Sequence, residues 1–84
     1  LNEKADYTLD FRETIVPLAL LKMGQVLMEM RTDEVLEIIT RDPEVRTDVL
    51  KVIPSSTCEL LGVEFDKGAQ TCRIQLKKRK QPRS

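Results

Sequence analysis

Hydrophobic positions along the chain fall into six stretches, each with its own period. Tyr7-Thr8-Leu9-Asp10-Phe11 alternates and is rich in β-favouring residues, which predicts a first strand. From Pro17 to about Arg31 the period changes. Val16, Leu20, Met23, Leu27 and Met30 recur at helical spacing and define a core stripe, and proline costs nothing in a first helical turn. Val35-Leu36-Glu37-Ile38-Ile39-Thr40 is nearly continuous in apolar residues, as a central strand is. Asp42-Pro43 closes that strand, because the residue before a proline is pushed out of the helical region. Thr47-Asp48 then offers an N-cap and a first-turn acid for a short second helix through Val49, Leu50, Val52 and Ile53, which Pro54 ends.

Two last strands, about Leu60 to Phe65 and Ala69 to Lys77, read as a hairpin turning at Asp66-Lys67-Gly68. With Lys67-Gly68 as a two-residue turn, Phe65 opposes Gln70, Val63 opposes Cys72 and Leu61 opposes Ile74. The apolar residues of both strands then share a face. The order β-α-β-α-β-β predicts an α/β (α+β) two-layer sandwich, a mixed four-stranded sheet with two helices on one face. Its expected core is Val16, Leu20, Met23, Leu27, Ile38, Leu61, Val63, Cys72 and Ile74.

The first helix carries a second stripe. Leu18, Leu21, Gln25 and Met28 also recur at helical spacing, away from the core stripe. Gly24 sits beside them, and a mid-helix glycine is compensated where another backbone comes close. These five residues form the expected interface, with a homodimer through helix one as one form of it.

Composition narrows the chemistry. The chain has 84 residues, enough for one modest core, and 14 basic residues balance 14 acidic ones. The balance is broken only at the end, where Lys77-Lys78-Arg79-Lys80-Gln81-Pro82-Arg83 reads as a frayed basic tail. The expected divisions are a flexible N-terminal segment (1–6), the domain (7–78) and the tail (79–84). Weak binding of RNA or DNA by that tail is an alternative function, although the overall charge does not favour nucleic acid as a partner. No apolar run reaches the roughly twenty residues that span a bilayer, and the first residues hold no signal-peptide core, so no membrane is expected. The chain opens on Leu1 without Met, from which a trimmed or longer native chain is expected.

Histidine is absent, which removes Ser-His and Cys-His nucleophile pairs and histidine-ligated metals. Gly24, Gly62 and Gly68 stand alone and make no phosphate loop. No cofactor, no metal and no catalytic centre are expected. Two cysteines are too few for a disulfide scaffold, and a reducing, cytoplasmic setting is expected. On the hairpin register Cys58 opposes Lys77, about 17 Å along the strand from Cys72, too far for a bridge. Cys72 points inward as a small hydrophobe. Cys58 lies in the Ser55-Ser56-Thr57 connection or at a strand edge, partly exposed.

In this order and spacing the residues resemble the TusA/SirA family of small sulfur-carrier proteins over about residues 7–78. Leu9-Asp10 and Arg12 resemble the family's opening motif, and Pro17 falls on the first proline of its Cys-Pro-x-Pro motif. Asp42-Pro43 and Asp48, Glu59-Leu60, Val63-Glu64, Ile74 and Lys77 match later family positions. The resemblance implies a cysteine at the N-terminus of helix one, where helix dipole and free N–H groups stabilise a thiolate or persulfide. Here that position is Val16, the second motif proline is Ala19, the motif glycine is Glu13, and the Arg/Lys pair on the helix is Gly24-Gln25. A histidine common before the third strand is Cys58. Taken with these departures, the resemblance implies a TusA-like domain without the sulfur-carrying cysteine, a non-catalytic interaction or regulatory partner in sulfur handling. The alternative is a sulfur carrier that uses Cys58.

Overall fold

The computed structural model of the chain describes residues 3–13 and 16–80, Val16 by its backbone only. The elements are β1 (Tyr7–Asp10), α1 (Val16–Glu29), β2 (Val35–Thr40), α2 (Pro43–Val52), β3 (Cys58–Asp66) and β4 (Thr71–Lys78). They build one four-stranded sheet in the order β1-β2-β4-β3, with β1 parallel to β2 and the other pairs antiparallel. This is the expected mixed sheet with two helices.

Period two decides what each face of the sheet meets. Tyr7, Leu9 and Phe11 point to the helices, as do Leu36, Ile38 and Thr40 of β2 and Cys72, Ile74 and Leu76 of β4. Ala19, Met23 and Leu27 of α1, Met30 just past its end, and Val45 and Val49 of α2 close the core over them. The α1 stripe matches at Met23, Leu27 and Met30. Leu20 is half-buried, Ala19 was missed because alanine carries little hydrophobic weight, and the side chain of Val16 lies outside the described residues.

Two boundaries differ from the sequence reading. Asp42-Pro43 does not merely close β2; it opens α2. The Asp42 side chain accepts the Glu44 N–H at 2.8 Å, and Pro43 stands in the first turn, so the Thr47-Asp48 pair lies inside the helix. The earlier start adds Val45, one turn before Val49, and both are fully buried. Ile53, extended before Pro54, ends the helix.

The hairpin also closes differently. Phe65 opposes Cys72 and Val63 opposes Ile74, a register two residues away from the expected one. Lys67 to Gln70 form a four-residue turn. Asp66 Oδ1 accepts the N–H groups of Gly68 (2.9 Å) and Ala69 (3.2 Å), and Gln70 takes the left-handed conformation at φ 54°. A slip of two leaves every side chain on its expected face. A bulge between Leu60 and Gly62 then breaks the alternation at Leu61. Neither Leu61 nor Val63 joins the core: Leu61 is half-buried and Val63 is 43% exposed, because β3 is an edge strand.

The run of cations at the end of β4 is not all tail. Lys77 and Lys78 belong to the strand, and Lys78, next in the inward series after Leu76, is buried with its Nζ donating to the Leu27 carbonyl. That carbonyl is among the last four of α1, which lack partners within the helix. No basic residue occupies the last turn of α1, so Lys78 supplies the matching charge from across the core. Arg79 N–H donates to the Thr57 carbonyl at 2.8 Å and its side chain donates to the Ser55 carbonyl at 2.9 Å.

On the outer face of the sheet, Glu37 Oε1 accepts from Arg73 (2.7 Å) and Gln75 (3.0 Å), and Gln75 Nε2 also reaches the Glu3 carbonyl at 2.9 Å. Asp6 exchanges two bonds of 2.8 Å with the Val35 backbone. Residues 3–6 are thereby held against the middle of the sheet.

Candidate functional site

The stretch that leaves β1 and enters α1 is where the family resemblance places chemistry. Asp10, the last residue of β1, grips Arg12 with both oxygens: Arg12 Nε donates at 2.8 Å to Oδ1 and Nη2 at 2.5 Å to Oδ2, while the Arg12 N–H donates to Oδ1 at 3.1 Å. These bonds from Arg12 hold the Asp10 carboxyl down at about 2. The pair faces a depression of about 460 Å³ that Glu13 and Arg41 complete. Arg12 therefore spends its charge on a neighbour two residues away, and Glu13 adds a negative charge beside it. Val16 begins α1 and Pro17 comes next, exposed, in its first turn. A valine offers no nucleophile, so the only thiols the chain can present are those of Cys58 and Cys72.

Neither thiol is presented. Cys58 begins β3 and is 1% exposed rather than lying partly open at an edge, and its Sγ is 3.7 Å from Thr57 Oγ1. In register it faces Lys78, whose ammonium sits at the C-terminal end of α1. From Val16 to Leu27 is eleven residues, about 16 Å of helix, so Cys58 lies near the opposite end of α1 from the motif position. Cys72 lies between Thr40 of β2 and Phe65 of β3, and burial pushes its thiol pKa up. Among the described residues no group of three His, Cys, Asp or Glu side chains could hold a metal ion. No described helix is long and apolar enough to cross a membrane.

The second stripe of α1 is open. Leu18, Leu21 and Met28 are 56%, 61% and 85% exposed, and Gln25 is exposed with them. A Cβ added at Gly24 would meet nothing within 4 Å, so among the described residues no other element's backbone approaches it. Leu18, Leu21 and Gln25 share a shallow depression with Thr8 to Phe11, while Gly24 and Met28 turn toward α2. The five residues of the expected interface therefore divide between two sides of the helix. Sequence reasoning missed Lys78, although the inward alternation Cys72, Ile74, Leu76 extends to it.

No curated protein matches the chain. The family model described as Sulfurtransferase TusA matches residues 7–78, all six elements and their connections. The chain belongs to the TusA family, whose members work in sulfur relay with protein partners.

Proposed function

We propose that this domain is a TusA-family member that does not itself carry sulfur and acts through protein contacts as a non-catalytic or regulatory partner in sulfur handling, in the cytoplasm. The observation that carries this reading is the placement of sulfur. Valine heads α1 where the family motif has cysteine, and both cysteines of the chain are buried. The surroundings agree. Asp10 neutralises Arg12, and Glu13 opposes an anion at the entrance to the helix. Residues able to meet a protein remain on α1, where Leu18 and Leu21 lie open beside the edge strand β1.

The test is incubation with a cysteine desulfurase and cysteine, and then intact mass measurement. The expected mass is unchanged. A stoichiometric gain of one sulfur atom, lost in Cys58→Ser, would overturn the reading in favour of a carrier that uses Cys58.

A further inference from the structure

Two cavities meet at Lys78. One, about 460 Å³, runs between α1 and the end of α2 and is lined by Leu20, Met23, Leu27, Met28, Val52 and Pro54, with Gly24, Thr57 and Lys78. The other, about 440 Å³, opens beyond Met28 and is lined by Arg31, Lys78 and Lys80 with Met30 and Thr32. Neither wall contains an acid. The first is apolar, the second is cationic, and Met28 and Lys78 belong to both.

Lys78 has unspent capacity. It is 4% exposed, and the Leu27 carbonyl takes one of its three N–H groups. Among the described residues no carboxylate pairs with it. A helix C-terminus offers only about half a negative charge, and a buried cation without a full counter-charge is costly. Gly24 keeps the apolar cleft open, since any side chain there would enter it without striking a neighbour at Cβ.

We infer that this double cavity binds a single-chain amphipathic anion, an acyl carboxylate whose tail lies between α1 and α2 and whose headgroup reaches Lys78, Arg31 and Lys80. The acyl chain covers the half-buried Leu20 and the exposed Met28 and Val52, and the carboxylate supplies the counter-charge that Lys78 lacks. This site is separate from the entrance of α1 and does not depend on whether the domain carries sulfur.

The experiment is an amide-shift titration of the full chain with octanoate, with acetate and 1-octanol as headgroup-only and tail-only controls. Octanoate should give saturable shifts at Gly24, Leu27, Met28 and Thr57. Acetate should give none there, and 1-octanol should bind at least tenfold more weakly. Gly24→Leu, which fills the cleft while improving the helix, should weaken octanoate at least tenfold without lowering the thermal midpoint. Lys78→Met should remove the preference for octanoate over 1-octanol. Equal binding of octanoate and 1-octanol, or octanoate binding undisturbed by Gly24→Leu, would overturn the proposal. So would shifts of these amides on dilution alone, which would make a second copy the occupant, or binding to anionic vesicles without binding free octanoate.

Discussion

Cys58 and Cys72 lie on the same inner face of the β3–β4 hairpin but near its two ends: Cys58 pairs with Lys78, six residues along β4 from Cys72. At strand rise that is about 20 Å, against the roughly 7 Å a disulfide tolerates between Cα atoms. Both thiols are free and buried. Alkylation by iodoacetamide at pH 8 should therefore be at least about tenfold slower in the native chain than in denaturant, where exposed thiols react as thiolates. Rapid native labelling of Cys58, read by peptide mass spectrometry, would show that its burial is easily opened.

The start of α2 can be tested by its caps. Asp42→Ala should cost about 1 kcal/mol, because the Glu44 N–H loses its acceptor. Thr47→Ala, a change within the exposed face of the helix, should stay within about 0.5 kcal/mol. Urea midpoints of the two variants would decide between the helix seen and one that starts at Thr47. A larger loss at Thr47 would favour the later start.

Acid should act through Glu37. The hydrogen bond from Arg73 pulls its pKa below the ordinary 4.5, with Gln75 assisting. A folded-state pKa lower than the unfolded one gives stability that is fully present above about 4.5 and is lost as pH falls through the folded value. Glu37→Gln should cost about 1–3 kcal/mol at pH 7, as removal of a charged partner from a partly buried bond does. The gap from wild type should narrow as pH falls below 4.5 toward 3. Urea unfolding at pH 7 and pH 3 measures both, and a gap independent of pH would remove Glu37 from the acid response.

The same residues explain what could be read along the chain. β2 was legible because a nearly continuous apolar run, Val35 to Ile39 interrupted only by Glu37 and closed by Thr40 and Asp42-Pro43, has one good use, a sheet centre. Asp42-Pro43 was ambiguous because one dipeptide does two jobs, ending a strand by restricting Asp42 and starting a helix by capping it. The hairpin register slipped because Gly68 marks a turn without stating its length, and a slip of two preserves the alternation that served as the check. That β3 lies at an edge is a property of strand order, which no local pattern encodes, so the pattern places Leu61 and Val63 in the core although neither joins it. For the site, the family resemblance alone puts Val16 at the motif position, and its side chain lies outside the described residues. The burial of Cys58 was not legible, because it depends on how β3 pairs with β4 around Lys78.

The outer face of α1 carries the final prediction, that it mediates contact between two copies of this chain or with a relay partner. Leu18 and Leu21 stand beside β1, whose outer edge pairs with no other strand among the described residues. Burying the two leucines would contribute roughly 1.5–3 kcal/mol each before the costs of association, enough for a weak dimer at high concentration. Leu21→Glu places a charge in that face and should abolish it while leaving the fold intact, since Leu21 is 61% exposed. Gly24→Ala separates this contact from helix stability. With open space at its Cβ, it should stabilise the chain by up to about 1 kcal/mol and leave association unchanged, because Gly24 turns toward α2. Light scattering after size exclusion measures the three proteins side by side. A monomeric wild type at high concentration whose relay partners bind Leu21→Glu as well as they bind the parent would remove this face from the protein's function.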